Sequence, residues 1–327
     1  MSDVNTAGEG DVVEESTVIQ QARAVVFQAP QQLAVEPVTL IEPGPEDVVV
    51  DIHYSGISTG TERLLWTGTM PYFPGLGYPL VPGYESVGRV VAAGPESGRS
   101  VGDLLFVPGA SCFNEARGVF GGAASRVVIG GQRGVAIPES LGERGVLLAL
   151  AATAWHAVAP APPQLIIGHG VLGRLMARIG TLLGEPPTVW ETNEQRRGGA
   201  LGYTVVDPSE DDRQDYPRIC DVSGDSRLLD TLISRLGRNG EVVLAGFYSQ
   251  PLSFEFAQAF MREASIRIAA EWQRADLEAV MARITSGALD LSGLITHRHG
   301  VEAADAAYRI AFNDPECLKM ILDWREG

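Results

Sequence analysis

The chain has 327 residues, 45% hydrophobic and 20% charged, enough for a real core and, at about 150 residues per domain, for two domains. Its net charge of −16 excludes the basic face that nucleic acid requires and disfavours docking on anionic lipid. No apolar run approaches the ~20 residues of a membrane span, and the scattered Cys112, Cys220 and Cys317 form neither a disulfide framework nor a four-thiolate zinc site.

Residues 1–20 are polar and acidic, with no basic residue before Arg23. That is the reverse of a signal peptide, so a disordered tail and a cytoplasmic protein are expected. Residues 22–38 read as strand, turn and strand. A valine-rich alternating stretch over 47–54 is a half-buried strand. Residues 55–61 form a small-residue loop, and strands follow over 83–94 and 103–107. The first 140 residues are thus mostly β, cut by Gly and Pro.

The pattern changes near Leu141. Residues 143–159 are Ala/Leu-rich and helical, and Pro160-Ala161-Pro162-Pro163 breaks the helix. A strand over 165–167, a helix over 172–183 and a strand over 188–190 come next. Strands over 204–206 and 219–221, a helix over 226–236 and a strand over 241–246 continue the alternation. Such alternation predicts a parallel sheet. A helix, the segment 294–298, another helix and a last strand over 318–322 close the chain.

Gly168-His169-Gly170-Val171-Leu172-Gly173 follows an apolar strand and opens a helix. In that context the first glycine permits a tight turn, the second admits a pyrophosphate, and the third lets helix and strand pack closely. The helix N-terminus then faces anionic phosphates. Glu191 closes the next strand, where a carboxylate bonds both ribose hydroxyls of NAD and repels the 2′-phosphate of NADP. NAD is therefore expected, although Arg196 and Arg197 lie near enough to keep NADP open. Asp221-Val222-Ser223-Gly224 and Ala245-Gly246-Phe247 follow apolar strands, so Ser223, Gly224 and Gly246 are expected beside the nicotinamide.

These residues resemble the medium-chain dehydrogenase/reductase superfamily. The resemblance rests on Ser55-Gly56-Ile57-Ser58-Thr59, Pro82-Gly83-Tyr84-Glu85-Ser86-Val87-Gly88, Val101-Gly102-Asp103, Gly121-Gly122-Ala123-Ala124, the glycine motif and Ile295-Thr296-His297-Arg298. It implies an α/β fold: a Rossmann parallel-sheet domain over 149–272, and a β-rich GroES-like catalytic domain formed by both chain ends, 21–148 and 273–327. The runs from Ser55 to Glu62, from Pro79 to Gly88, Val189-Trp190-Glu191-Thr192-Asn193 and the ending from Cys317 to Trp324 are similar to the hydroxyethyl bacteriochlorophyllide a dehydrogenase family. That resemblance alone implies the substrate, a chlorophyllide-type tetrapyrrole whose 3-hydroxyethyl group is oxidised to acetyl with NAD in bacteriochlorophyll biosynthesis. Asn193 joins the expected cofactor-binding set through the same run.

Zinc-dependent members of the superfamily place a cysteine and a histidine where this chain has Ser58 and Tyr84, and a third ligand within 149–152. Serine and tyrosine are poor substitutes for thiolate and imidazole, so no metal is expected. Tyr84 then becomes the leading hydrogen-bonding or acid/base residue, with Ser58 and Thr59 as relays and Glu85 holding the network. Lys319, the single lysine of the chain, falls where relatives carry a base that reaches the cofactor pyrophosphate. The aromatics Trp66, Tyr72, Phe73 and Tyr78 either stack on a flat macrocycle or pack on one another. A zinc-free quinone or enone reductase and a non-catalytic NAD-binding relative are the competing readings. A homodimer through the Rossmann sheets is the superfamily habit.

Overall fold

A computed structural model describes residues 20–325. The expected acidic tail lies outside the described residues, apart from Gln20. β1 (Gln21–Ala29) turns back on β2 (Gln32–Thr39). β1 also pairs β4 (Leu80–Val81), which pairs β7 (Arg117–Gly118).

β3 (Asp47–Ile57) is the spine of the β-rich part. Its Val-Val-Val-Asp-Ile run is buried almost throughout because three partners surround it. Residues 47–51 pair β8 (Arg126–Gly130), and residues 54–57 pair the last strand, β17 (Lys319–Asp323). The other edge pairs β5 (Ser86–Ala93). β6 (Leu104–Val107), β9 (Val135–Ala136) and β16 (Ile295–Gly300) complete this seven-stranded sheet. The last strand of the chain therefore sits beside the third.

α1 (Thr61–Thr67) begins at the last residue of the stretch read as a small-residue loop, 55–61. It starts on Gly60 without a side-chain cap, so the usual Ser, Thr, Asp or Asn start signal is missing. Gly68, at φ 72°, stops it.

After a 3-10 stretch over Glu139–Leu147, α2 (Leu148–Val158) leads into a second sheet. Its strands are β10 (Leu165–Ile167), β11 (Thr188–Trp190), β12 (Thr204–Val206), β13 (Tyr216–Asp221), β14 (Leu236–Leu244) and β15 (Ser265–Ile268). All pair in parallel, in the order β12-β11-β10-β13-β14-β15. The order reverses between β10 and β13, which opens a crevice at their carboxyl ends. The α/β reading holds, with small shifts at element ends. The expected helix over 226–236 is α4 (Leu229–Arg235), and the next strand starts early because Leu236 pairs Tyr216.

α3 (Val171–Leu182), α2 and α6 (Arg274–Thr285) cover one face of the parallel sheet through Leu175, Ala151, Leu277 and Val280. The same apolar cluster takes in Val87, Leu104, Phe106 and Ile321 from the seven-stranded sheet, so one core bridges both sheets. Each such aliphatic side chain contributes about 1.5–3 kcal/mol by leaving water. α4 and α5 (Phe256–Arg262) cover the opposite face through Leu232, Ile233 and Ala259. α7 (Ala304–Asn313) returns the chain to the first core.

Candidate active site

The end of β3, the turn over 58–60 and the start of α1 carry a cluster of hydroxyls. Ser58 is buried, and its Oγ lies 2.7 Å from the Tyr84 hydroxyl. Thr61 Oγ1 lies 3.4 Å from the same hydroxyl. Burial, and then the nearby Glu85 charge, push the Tyr84 phenol well above its ordinary range. Tyr84 therefore stays protonated near neutrality. Thr59 points elsewhere. It is exposed, and Thr61 supplies the second hydroxyl expected of Thr59. The helical start at Thr61 turns its side chain back toward Tyr84, which a loop reading could not foresee.

Lys319 is also a correction. Its side chain is 2% exposed and its ammonium is held inside the β-rich part, not offered to a diphosphate. Nζ donates to Glu85 Oε2 at 2.6 Å and to the Ile57 carbonyl at 3.0 Å. Register explains this: Met320 of β17 pairs Ile57 of β3, which brings Lys319 to the end of β3. Gly56 makes room, since a Cβ there would overlap the Glu85 carboxylate. Burial raises the Glu85 carboxyl, and the Lys319 charge opposes the rise. Glu85 Oε1 is buried with no hydrogen-bond partner among the described residues.

Two residues beneath the cluster escaped sequence reasoning. Glu62 is fully buried; its Oε1 accepts from the Ser58 N–H at 3.2 Å and its Oε2 from the Tyr308 hydroxyl at 2.7 Å. Burial pushes its carboxyl up to about 8 against the Tyr308 bond. Glu62 thereby ties the Ser58 turn to α7. A charged residue just after a stretch read as loop carries no burial signal. Only the helical period of α1, which places Glu62, Leu65 and Trp66 inward, could have exposed it.

The crevice of the parallel sheet holds the glycine motif. Gly168 takes φ 102°, a conformation only glycine adopts freely. A Cβ on Gly173 would overlap the Gly168 carbonyl, so helix and strand meet at their closest there. A Cβ on Gly170 would meet nothing within 4 Å. Gly170 is also the N-cap of α3 and provides no side-chain bond to the first N–H groups of the helix. This is the cradle a diphosphate would fill.

Glu191 accepts the His169 N–H at 3.0 Å on one oxygen and the Asn193 N–H at 2.8 Å on the other. Asn193 spends its own side-chain oxygen on the Gln195 N–H. The His169 ring lies below the loop, between the Arg196 carbonyl at Nδ1 (2.7 Å) and the Tyr203 hydroxyl at Nε2 (2.9 Å). Burial pushes its pKa down to about 4, so it is neutral. Arg174 reinforces the loop through the His169 and Arg196 carbonyls. The two arginines that kept NADP open are engaged: Arg197 pairs with Asp207, and Arg196 Nε donates to the Pro315 carbonyl.

The loops after β13 and β14 complete the crevice. Asp221 is the staple between them, a role sequence reasoning missed. Its carboxylate accepts from the Ser223 N–H and the Tyr248 hydroxyl, and its carbonyl from the Gly246 N–H. Gly246 and Gly224 approach so closely that a Cβ on Gly246 would lie 3.1 Å from the Gly224 nitrogen. Among the described residues no three His, Cys, Asp or Glu side chains converge as a metal site would need.

Of the aromatic run over 66–84, Trp66 is buried against Phe312 and Tyr78 donates to the Leu65 carbonyl. Tyr72 stands 83% exposed.

The alcohol dehydrogenase GroES-like domain family matches residues 44–163. The 2-desacetyl-2-hydroxyethyl bacteriochlorophyllide A dehydrogenase of Rhodobacter capsulatus is 56% identical, covering 94% of this chain and 99% of that protein. Its counterpart in Cereibacter sphaeroides is 54% identical over 92% and 98%. Acetophenone reductase of Geotrichum candidum, solved in complex with NAD, shares the fold with a TM-score of 0.80 at 20% identity, over 94% of this chain and 98% of that one.

Lys319→Met is expected to cost about 3–5 kcal/mol in urea denaturation, since it strands a buried carboxylate, and Glu85→Gln added to it restores most of the loss. A single variant as stable as the parent would show that the two groups are not ionised in the folded protein. Glu62 makes a second prediction. Its folded carboxyl titrates near 8 instead of the ordinary 4.5, so its contribution to stability is complete below 4.5 and is lost as pH rises toward 8. The melting temperature of the parent should therefore fall relative to Glu62→Gln between about pH 5 and 8. A constant difference would mean that Glu62 is already ionised.

Proposed function

The chain belongs to the hydroxyethyl bacteriochlorophyllide a dehydrogenase family, and from that membership we propose how its site works as an oxidoreductase on a CH–OH group. The substrate is a bacteriochlorophyllide-type tetrapyrrole, and its 3-hydroxyethyl group becomes acetyl. The family match decides against the quinone-reductase and non-catalytic readings.

One observation carries the mechanism: the Tyr84 hydroxyl, held by Ser58 and Thr61, is a half-buried neutral group beside an internal charge pair. A secondary alcohol oxygen bonded to Tyr84 gives up its proton as hydride leaves the carbon. Tyr84 accepts that proton while passing its own to Ser58 Oγ, so no phenolate has to form. Ser58 in the same movement releases its own hydroxyl proton to water at the adjoining turn, where Thr59 and Gly60 are exposed. Lys319, bonded to the Ile57 carbonyl, and Glu62, bonded to the Ser58 N–H, hold the turn from both sides. The route works without a metal.

NAD, when bound, supplies the hydride acceptor. Gly168 to Gly173 would cradle its diphosphate and Glu191 its adenosine ribose, with Asn193 supporting Glu191. Ser223, Gly224 and Gly246 would border the nicotinamide. Glu191 favours NAD over NADP because a carboxylate repels a 2′-phosphate and Arg197 is already neutralised by Asp207. No helix among the described residues is long and apolar enough to cross a membrane.

A second copy is proposed at the free edge of β15. Ile268 is 65% exposed there, and Ile266 of the same strand lines an apolar depression with Phe256, Phe260 and Met261 of α5. An apolar unpaired edge invites strand pairing.

Mixing the protein with NAD and a hydroxyethyl chlorophyllide should generate reduced-nicotinamide absorbance together with a shift of the pigment band. Tyr84→Phe should lower turnover by roughly 10²-fold. Near-normal turnover in that variant would remove Tyr84 from proton transfer. Ile268→Lys should convert a dimer to monomers in sedimentation; an unchanged mass would place any interface elsewhere.

A further inference from the structure

Phe120 stands where a phenylalanine should not. Its φ is 71° and that of Gly121 is 68°, so two consecutive residues of this bend lie at positive φ. Glycine and asparagine adopt such backbone most readily, and a bulky residue there is a true outlier. The backbone cannot relax. The Phe120 carbonyl accepts the Ala110 N–H at 2.6 Å, and a Cβ on Gly109 would collide with the Phe120 carbonyl and one on Gly121 with the Ala110 carbonyl.

The ring is what the strain retains. It meets the Tyr84 ring edge-on, with centroids 5.2 Å apart and planes at 69°. On its other side it faces Phe73, with centroids 6.5 Å apart. Phe73 belongs to the segment that ends in the exposed Tyr72. Phe120 itself is only half-buried, unlike its neighbour Val119. A ring needed for packing alone would be enclosed. This one remains open beside the hydroxyl that the reaction uses, and strained residues concentrate at such places.

We propose that Phe120 is a specificity-determining residue, an aromatic platform on which the flat conjugated ring of the substrate rests while its hydroxyethyl arm reaches Tyr84. The inference rests on the tetrapyrrole reading of the same site. An aromatic face suits that substrate because stacking needs area and no hydrogen bonds. It also explains why the position tolerates a backbone that asparagine or glycine would adopt more easily.

The test compares Phe120→Asn, which suits the turn and removes the ring, with Phe120→Trp, which keeps an aromatic face. Steady-state kinetics with hydroxyethyl chlorophyllide, pigment affinity by fluorescence quenching, NADH affinity and melting temperature are measured on each. In Phe120→Asn, KM and the pigment Kd should rise about tenfold or more, as loss of one stacking platform does. Its kcat, NADH affinity and melting temperature should hold, and Phe120→Trp should recover much of the pigment affinity. An unchanged pigment Kd in Phe120→Asn overturns the inference. So does a joint fall of pigment affinity, NADH affinity and melting temperature, which marks a packing role. If the parent binds pigment but forms no NADH, the catalytic reading fails alone and the pigment Kd values still decide Phe120. If the parent does not bind pigment, both fail.

Discussion

The buried ion pair between Glu85 and Lys319 is the constraint on which the site depends. Two charges taken out of water cost several kcal/mol each, and only close geometry with further hydrogen bonds offsets that. Here the geometry is set by topology. β17 must lie against β3 for the ammonium to reach both Glu85 and the Ile57 carbonyl. Any packing that separates the two chain ends leaves both charges stranded. The pair therefore links the closure of the seven-stranded sheet to the position of the turn that carries Ser58.

Above that pair the polar groups are neutral. Ser58, Thr61 and Tyr84 share hydrogen bonds in a place where burial disfavours every ionised form. A proton can move along such hydroxyls only in concert, because no member holds a charge cheaply. The turn itself is clamped on opposite sides, by Lys319 at the Ile57 carbonyl and by Glu62 at the Ser58 N–H. Glu62 in turn depends on Tyr308, so α7 from near the C-terminus contributes to a site formed by residues 58–85. The coenzyme crevice is stiffened in the same way, by Asp221 joining two loops and by neutral His169 beneath the glycine turn.

Much of this was legible locally. The glycine motif announces itself because each glycine answers a backbone demand, and Gly168 and Gly173 meet those demands within the strand-turn-helix unit. The alternation of strands and helices after Leu141 signals the parallel sheet for the same reason. Ser58, Tyr84 and Glu85 were legible through resemblance to a family with a site at those positions. Thr61 was legible only as a polar residue of the first loop; the uncapped helix that brings it to Tyr84 was not, and the relay role fell to Thr59. Phe120 was hidden because its peculiarity is a dihedral angle, which no residue pattern reports.

The sequence by itself determined the α/β class and the dinucleotide turn, because these follow from the period of apolar residues and from glycines at fixed offsets, and family resemblance pointed to the run of residues around Tyr84. Only the tertiary structure decided where the charges went. Lys319 and Glu85 are separated by more than two hundred residues, and neither residue's neighbours specify its partner. Strand register alone brought them together, and with them came a lysine buried for the architecture instead of presented to a phosphate.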